Sequence, residues 1–174
     1  MLHHTTLNFT EELAERPANS TECIVLHHSE NGGNQTVEEI HKAHLSRKWA
    51  GIGYHYYVDK KGEIFTGRPR NMVGAHTYGY NQKSVAVCFQ GDFNKEEATV
   101  PQIEGAVMLM ALLSLAYGDI KIVRQSDLTK EMTGPGANFP FESFCEKVEA
   151  CKKSFVNLFG KPDAFDYNQL LDLI

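Results

Sequence analysis

The succession of its apolar segments constrains this chain more than any other feature. "CIVLHH" (23–28) is a short apolar run enriched in β-branched residues and reads as a buried strand. After the loop "ENGGNQ", the segment "TVEEIHKAHLSRKWAG" opens with Thr36 and Glu39 at capping-box spacing. Val37, Ile40, His41, His44 and Leu45 then fall along one helical face. "GYHYYVDKKGEIFTGR" reads as a hairpin, with Gly62 suited to the positive φ of a tight turn. "SVAVCFQGDF" (84–93) is a further apolar strand. Thr99 and Pro101 start a second long helix, which Gly118 stops. "IKIV" (120–123) is the next strand, and "FESFCEKVEACKKSFVNLFG" is a third, amphipathic helix. Strand, helix, hairpin, strand, helix, strand, helix predicts an α/β domain: a single mixed β-sheet packed with helices. Residues 1–22 read as an irregular lead-in, 23–160 as the domain, and 161–174 as a C-terminal tail packed on it.

A length of 174 residues suits one substantial core. Seventeen basic against 22 acidic residues leave a formal charge of −5, which gives no general attraction to nucleic acid or anionic membranes. Arg68, Arg70 and Lys83 lie close together in sequence and could line one groove for an anionic ligand. No run approaches the roughly 20 apolar residues that span a bilayer. The N-terminus has neither a basic n-region nor an apolar h-region, so a cytoplasmic protein is expected, released by lysis or a separate route. The four cysteines form no CxxC pair or zinc-ribbon spacing, and Cys23 and Cys88 read as buried thiols within strands.

All eight histidines lie within the first 76 residues. Adjacent side chains on a strand point to opposite faces, so His27 shares a face with Cys23 and Val25, and His28 with Ile24 and Leu26. By the same alternation Tyr54 and Tyr56 share one face of the next strand, and His55 and Tyr57 the other. His76 sits in the glycine-flanked loop "GAHTYGYN", and loops carry function more often than cores do. Together these residues indicate a cleft lined by His27, Tyr54 and His76, without naming a reaction.

"IVLHHSE", "GIGYHYYVDKKGEIFTGRP", "GAHTYGYNQKSVAVCFQGDF" and "SDL…T.GPGANFPF" follow one another in an order that resembles a known family. It is that of the type 2 N-acetylmuramoyl-L-alanine amidases, related to phage lysozyme-type endolysins and animal peptidoglycan recognition proteins. The resemblance runs over roughly residues 22–145. It implies an amidase-like fold and cleavage of the amide between N-acetylmuramic acid and L-alanine. The family's zinc ion is held by two histidines and a cysteine or aspartate; an open zinc site lowers the pKa of bound water to about 7. By resemblance, His27 matches the first zinc histidine, Tyr54 the tyrosine beside the metal, and His76 the groove histidine. The other two ligand positions depart from the pattern. The H-x-D-L motif is "QSDL", with Gln125 at the ligand position, and the residue before the proline-glycine is Gly134. Met132 replaces a basic residue often found two positions earlier.

An amide oxygen is a poor zinc donor and glycine offers none. The expectation is therefore a domain without zinc or catalysis that binds a small ligand, a muropeptide or another polar or anionic molecule, in the old substrate groove. His27, Tyr54, His76, Arg68, Arg70, Gln125 and Asn138 are its candidate contacts. The alternative is an active zinc-dependent amidase of endolysin or recycling type, with substitute ligation by His28 or His76. No cofactor is expected under the first reading, and zinc under the second. Neither nucleic acid nor membrane is an expected partner, and the oligomeric state stays open.

Overall fold

The structure is a computed structural model that describes residues 1–17 and 19–174. In chain order its elements are β1 (Leu2–His3), β2 (Cys23–His28), α1 (Val37–Ser46), β3 (Tyr56–Val58), β4 (Ile64–Thr66), β5 (Ser84–Phe89), α2 (Val100–Ala116), β6 (Lys121–Arg124), α3 (Gln125–Leu128), α4 (Phe141–Phe159) and α5 (Asn168–Leu171). The strands form one sheet in the order β1-β4-β3-β5-β2-β6. Its neighbours are parallel except for the β3–β4 hairpin.

The two central strands explain the architecture. Every residue of β2 and β5 is buried, so both faces of the sheet need cover. Ile24, Leu26, Val85, Val87 and Phe89 pack on one face against α2 and α4, with Tyr167 and Leu171 near the C-terminus closing the same core. On the other face Tyr57 and Cys88 pack against Val37 and Ile40 of α1. Of these covering helices, α1 and α2 start where their caps dictate. Thr36 accepts from the Glu39 amide at 3.3 Å while Glu39 accepts from the Thr36 amide at 2.8 Å, and Thr99 and Gln102 repeat the exchange on α2. Each such cap contributes about 1 kcal/mol. At the hairpin tip Gly62 has φ +80°, and a β-carbon there would stand 2.2 Å from the Pro101 carbonyl oxygen, so the turn can dock on the start of α2 only as glycine. Among the described residues no helix is long and apolar enough to cross a membrane.

Three local expectations need correction. The lead-in is not wholly irregular, because β1 pairs with β4, Leu2 opposite Ile64 and His3 opposite Phe65. Two residues are too few to show a period of two in sequence. The loop after β6 begins as the single helical turn α3. Tyr54 and Tyr56 do not share a face. Regular β3 begins only at Tyr56, and Ala75 donates its amide to the Gly53 carbonyl, so alternation is not continuous through Tyr54. Tyr56 enters the core beneath α2, whereas Tyr54 lies with Tyr57 and Cys88 on the α1 side.

Candidate functional site

The C-terminal ends of parallel strands gather the site, as is usual for sheets of this kind. β6 runs beside β2 with Arg124 opposite Leu26, which places Gln125, the next residue, alongside His27. The α3 turn then reverses the chain, and the Ser126 amide donates to the Gly134 carbonyl at 2.9 Å. Gly134 is thereby laid over both neighbours: a β-carbon built on it would stand 2.6 Å from Gln125 Oε1 and 3.3 Å from His27 Cα. His27, Gln125 and Gly134, more than a hundred residues apart at the extremes, converge on one point.

His76 completes the arrangement from the loop after β4. Asn81 Oδ1 accepts the His76 amide at 2.8 Å and the Thr77 amide at 2.9 Å, which fixes the loop. His76 Nδ1 lies 3.0 Å from His27 Nε2, and His76 Nε2 lies 3.2 Å from Ser84 Oγ. The proton order follows from Ser84. Its hydroxyl donates to the Tyr80 carbonyl, so Ser84 Oγ accepts from His76 Nε2–H, and His76 Nδ1 accepts from His27 Nε2–H. The Gln125 amide nitrogen donates to the His76 carbonyl at 3.2 Å. The Tyr54 ring is tilted against His27 at 5.0 Å and against His44 at 5.5 Å.

Burial keeps this constellation uncharged. It drives the His27 imidazole down to about 3, against the opposing pull of the hydrogen bond to Gln125, and the His55 imidazole also down to about 3. His76 is held well below its ordinary range for the same reason, with the neighbouring His27 and His55 adding to the effect. Burial raises the Tyr54 phenol well above its usual value. At neutral pH the site therefore presents neutral imidazoles, an amide and a neutral phenol.

Four other histidines serve the backbone. His28, His41, His44 and His55 each accept a main-chain N–H at Nδ1, from Phe93, Ile52, Gly53 and Ala86, at 3.0–3.1 Å. His28 is on the opposite face from His27, stacked on Phe93 and bonded through Nε2 to Thr133 at 3.2 Å. Among the described residues no three His, Cys, Asp or Glu side chains come together as a group that could hold a metal ion.

The expected cationic groove does not form. Arg68 is buried and binds the Ile52 and Val73 carbonyls at 3.1 and 2.8 Å. Arg70 turns to the C-terminal helix, pairing with Asp172 at 3.0 Å and with Asn168. Lys83 pairs with Glu22 at 3.2 Å and lies over the Tyr80 ring. Asn138 is exposed, its backbone amide bound to the Phe93 carbonyl, and it does not line the cavity at Tyr54 and Gln125. That cavity, of about 150 Å³, is reached by Tyr54, His76 and Gln125 but not by His27, which is buried behind them, and it is lined in addition by His28, Glu30, His44, Arg47 and Trp49. Trp49 carried a usable signal, being the chain's single tryptophan and next to the "GIGYHYY" motif; it is 41% exposed.

Residues 15–137 match the family model described as N-acetylmuramoyl-L-alanine amidase. The endolysin of Enterobacteria phage T3 is 33% identical over 109 residues, 59% of this chain and 72% of that protein. The endolysin N-acetylmuramoyl-L-alanine amidase LysCS from Clostridium intestinale superposes with a TM-score of 0.77 at 34% identity, covering 86% of this chain and 95% of that one. A Drosophila PGRP-LB variant, solved in complex with tracheal cytotoxin, superposes with a TM-score of 0.65 at 26% identity, covering 81% and 91%.

Proposed function

The chain belongs to the N-acetylmuramoyl-L-alanine amidase family, and from that premise we propose that it binds peptidoglycan fragments in its cleft without zinc and without cleaving them. The observation that carries the reading is the fit of Gln125 against Gly134. Where the family's ligands converge, this chain sets one imidazole, one carboxamide and one bare α-carbon, and the carboxamide fills the volume a side chain on residue 134 would need. The donor set does not suit zinc. An amide oxygen is a weak donor beside imidazole, thiolate or carboxylate, and the amide nitrogen is committed to the His76 carbonyl. Two neighbouring imidazoles are already engaged: His55 is tied at both nitrogens, to the Ala86 amide and the Met72 carbonyl, and His28, which reaches the cavity, spends Nδ1 on the Phe93 amide and Nε2 on the Thr133 hydroxyl.

What remains suits recognition. The His44 imidazole, the Gln125 amide and the Tyr54 phenol line the cavity and can exchange hydrogen bonds with the amides and hydroxyls of a muropeptide, while nothing in the set polarises a carbonyl as a Lewis acid would. The complex of the PGRP-LB relative with tracheal cytotoxin, a monomeric diaminopimelic acid-type peptidoglycan, supports this ligand class. The alternative of an active amidase with a rearranged metal site draws on the likeness to endolysins and on the 3.0 Å approach of His27 Nε2 to His76 Nδ1.

Metal analysis of the purified protein after zinc loading and dialysis separates the two. Calorimetry with a disaccharide-peptide and chromatography for released stem peptide complete the test. Binding without stoichiometric zinc or release is expected; one firmly held zinc per chain with turnover would refute the proposal.

A further inference from the structure

A separate cavity of about 340 Å³ lies where the N-terminal residues meet the C-terminal helix α5. It shares no lining residue with the cavity at Tyr54 and Gln125. Leu2 of β1, Tyr56 of β3, Thr66 of β4 and Leu171 of α5 form its walls. Sites for small ligands run to about 300–1,000 Å³, so this one admits a single small molecule.

Two features of its lining are unsatisfied. The first is a hydroxyl. Tyr56 is 6% exposed, and its Oη has no hydrogen-bond partner among the described residues. Among those residues the fully enclosed side-chain atom in that condition is Thr129 Oγ1. The Tyr56 hydroxyl therefore opens onto space, and the space that Tyr56 lines is this cavity. Burial pushes the phenol up to about 12, so at neutral pH it keeps its proton and can donate it.

The second is charge. Arg68 lines the cavity and donates Nε and Nη1 to the Ile52 and Val73 carbonyls. Arg16 adjoins it, bound to the carbonyl of Arg70, another lining residue, and to the Ser84 carbonyl and the Tyr117 hydroxyl. The two guanidiniums are 6% and 8% exposed, and among the described residues neither has a carboxylate within ion-pair distance. Burial pulls both below their ordinary range. The one carboxylate in the lining, Asp172, is largely exposed and engaged by Arg70 at 3.0 Å. Buried charge without a counter-charge is unfavourable, and an anion taken up from solution offsets it.

We infer that this cavity binds a small organic anion: its carboxylate or phosphate head accepts the Tyr56 hydroxyl in the field of Arg68 and Arg16, and its apolar body packs between Leu2 and Leu171. The site goes beyond the proposed function and does not depend on it. Arg70, held by Asp172 and Asn168, borders the site without supplying free charge.

The experiment titrates the intact protein with benzoate, with phenyl phosphate and with benzyl alcohol as the neutral match, followed by calorimetry and by amide NMR shifts. A single saturable site is expected for an anion, with shifts at Leu2, Thr66 and Leu171 and affinity for benzyl alcohol lower by about tenfold or more. Tyr56→Phe keeps the ring in the core and removes only the hydroxyl. It should weaken anion binding by roughly tenfold, the scale of one hydrogen bond to a charged group, and leave disaccharide-peptide affinity unchanged. Asp172→Asn, at an exposed position, should strengthen anion binding by about threefold. Binding of only one of the two anions identifies the head group and upholds the site. Equal affinity for benzyl alcohol would reduce the cavity to an apolar hole and overturn the inference. So would the absence of saturable binding by either anion, or an anion affinity that Tyr56→Phe leaves unchanged.

Discussion

The Gln125 carboxamide oxygen stands 2.6 Å from the point a β-carbon on Gly134 would occupy. The two residues are complementary in size, and a substitution at one is felt at the other. Gly134→Ala forces the buried amide aside and breaks its bond to the His76 carbonyl. The expected cost is about 1–2 kcal/mol. In a Gln125→Ala background the same change should cost much less, and a double-mutant cycle in urea reads the coupling directly. Additive effects would show that the contact is not felt.

The same complementarity governs metal uptake. Gln125→His with Gly134→Cys replaces the amide by an imidazole and supplies a thiolate beside His27, giving the N/S donor set that zinc prefers. Calorimetric titration with zinc should change from no measurable uptake to stoichiometric binding, with Gln125→His alone intermediate. Zinc affinity that is the same in wild type and double variant would mean that the ligand positions have been misassigned.

The fold and the site were not equally legible in sequence. Capping boxes at Thr36 and Thr99 and the largely apolar strands β2 and β5 are local signals, and they placed the helices and the sheet's centre. His27, Gln125 and Gly134 could be aligned because ordered motifs surround each of them. Tyr54 lies on a different face from the one strict alternation gives because regular β3 begins only at Tyr56 and Tyr54 precedes it. Arg68 and Arg70 are separated only by Pro69 in sequence and diverge in space, one bound to the Ile52 and Val73 carbonyls and one to the C-terminal helix.

Acid should unfold this protein early. His44, at about 4, and His55, at about 3, are held down chiefly by burial, against an ordinary value of 6.5, and each accepts a backbone amide at Nδ1. The unfolded chain thus binds protons that the folded one refuses. Their contribution to stability is complete above about pH 6.5 and is lost as pH falls from there towards the folded values, by at most about 1.4 kcal/mol per pH unit for each histidine. Urea midpoints should be flat from pH 8 to 7 and fall steeply towards pH 5. His55→Asn should lower stability at pH 7 but shallow the slope. A midpoint independent of pH over this range would contradict the assignment of neutral, acceptor imidazoles.

Arg70 separates a structural cation from a ligand-binding one. Its guanidinium is directed to Asp172 and Asn168 at the C-terminal helix and does not line the cavity at Tyr54 and Gln125. Asp172 is largely exposed, so the pair is screened by solvent, and Arg70→Ala should cost under about 1 kcal/mol. Affinity for a disaccharide-peptide, followed by Trp49 fluorescence, should be unchanged, whereas protease susceptibility of the C-terminal segment should rise as its tether is removed. A fall in affinity without such a rise would return Arg70 to the ligand and revive the cationic groove that its neighbours in sequence suggested.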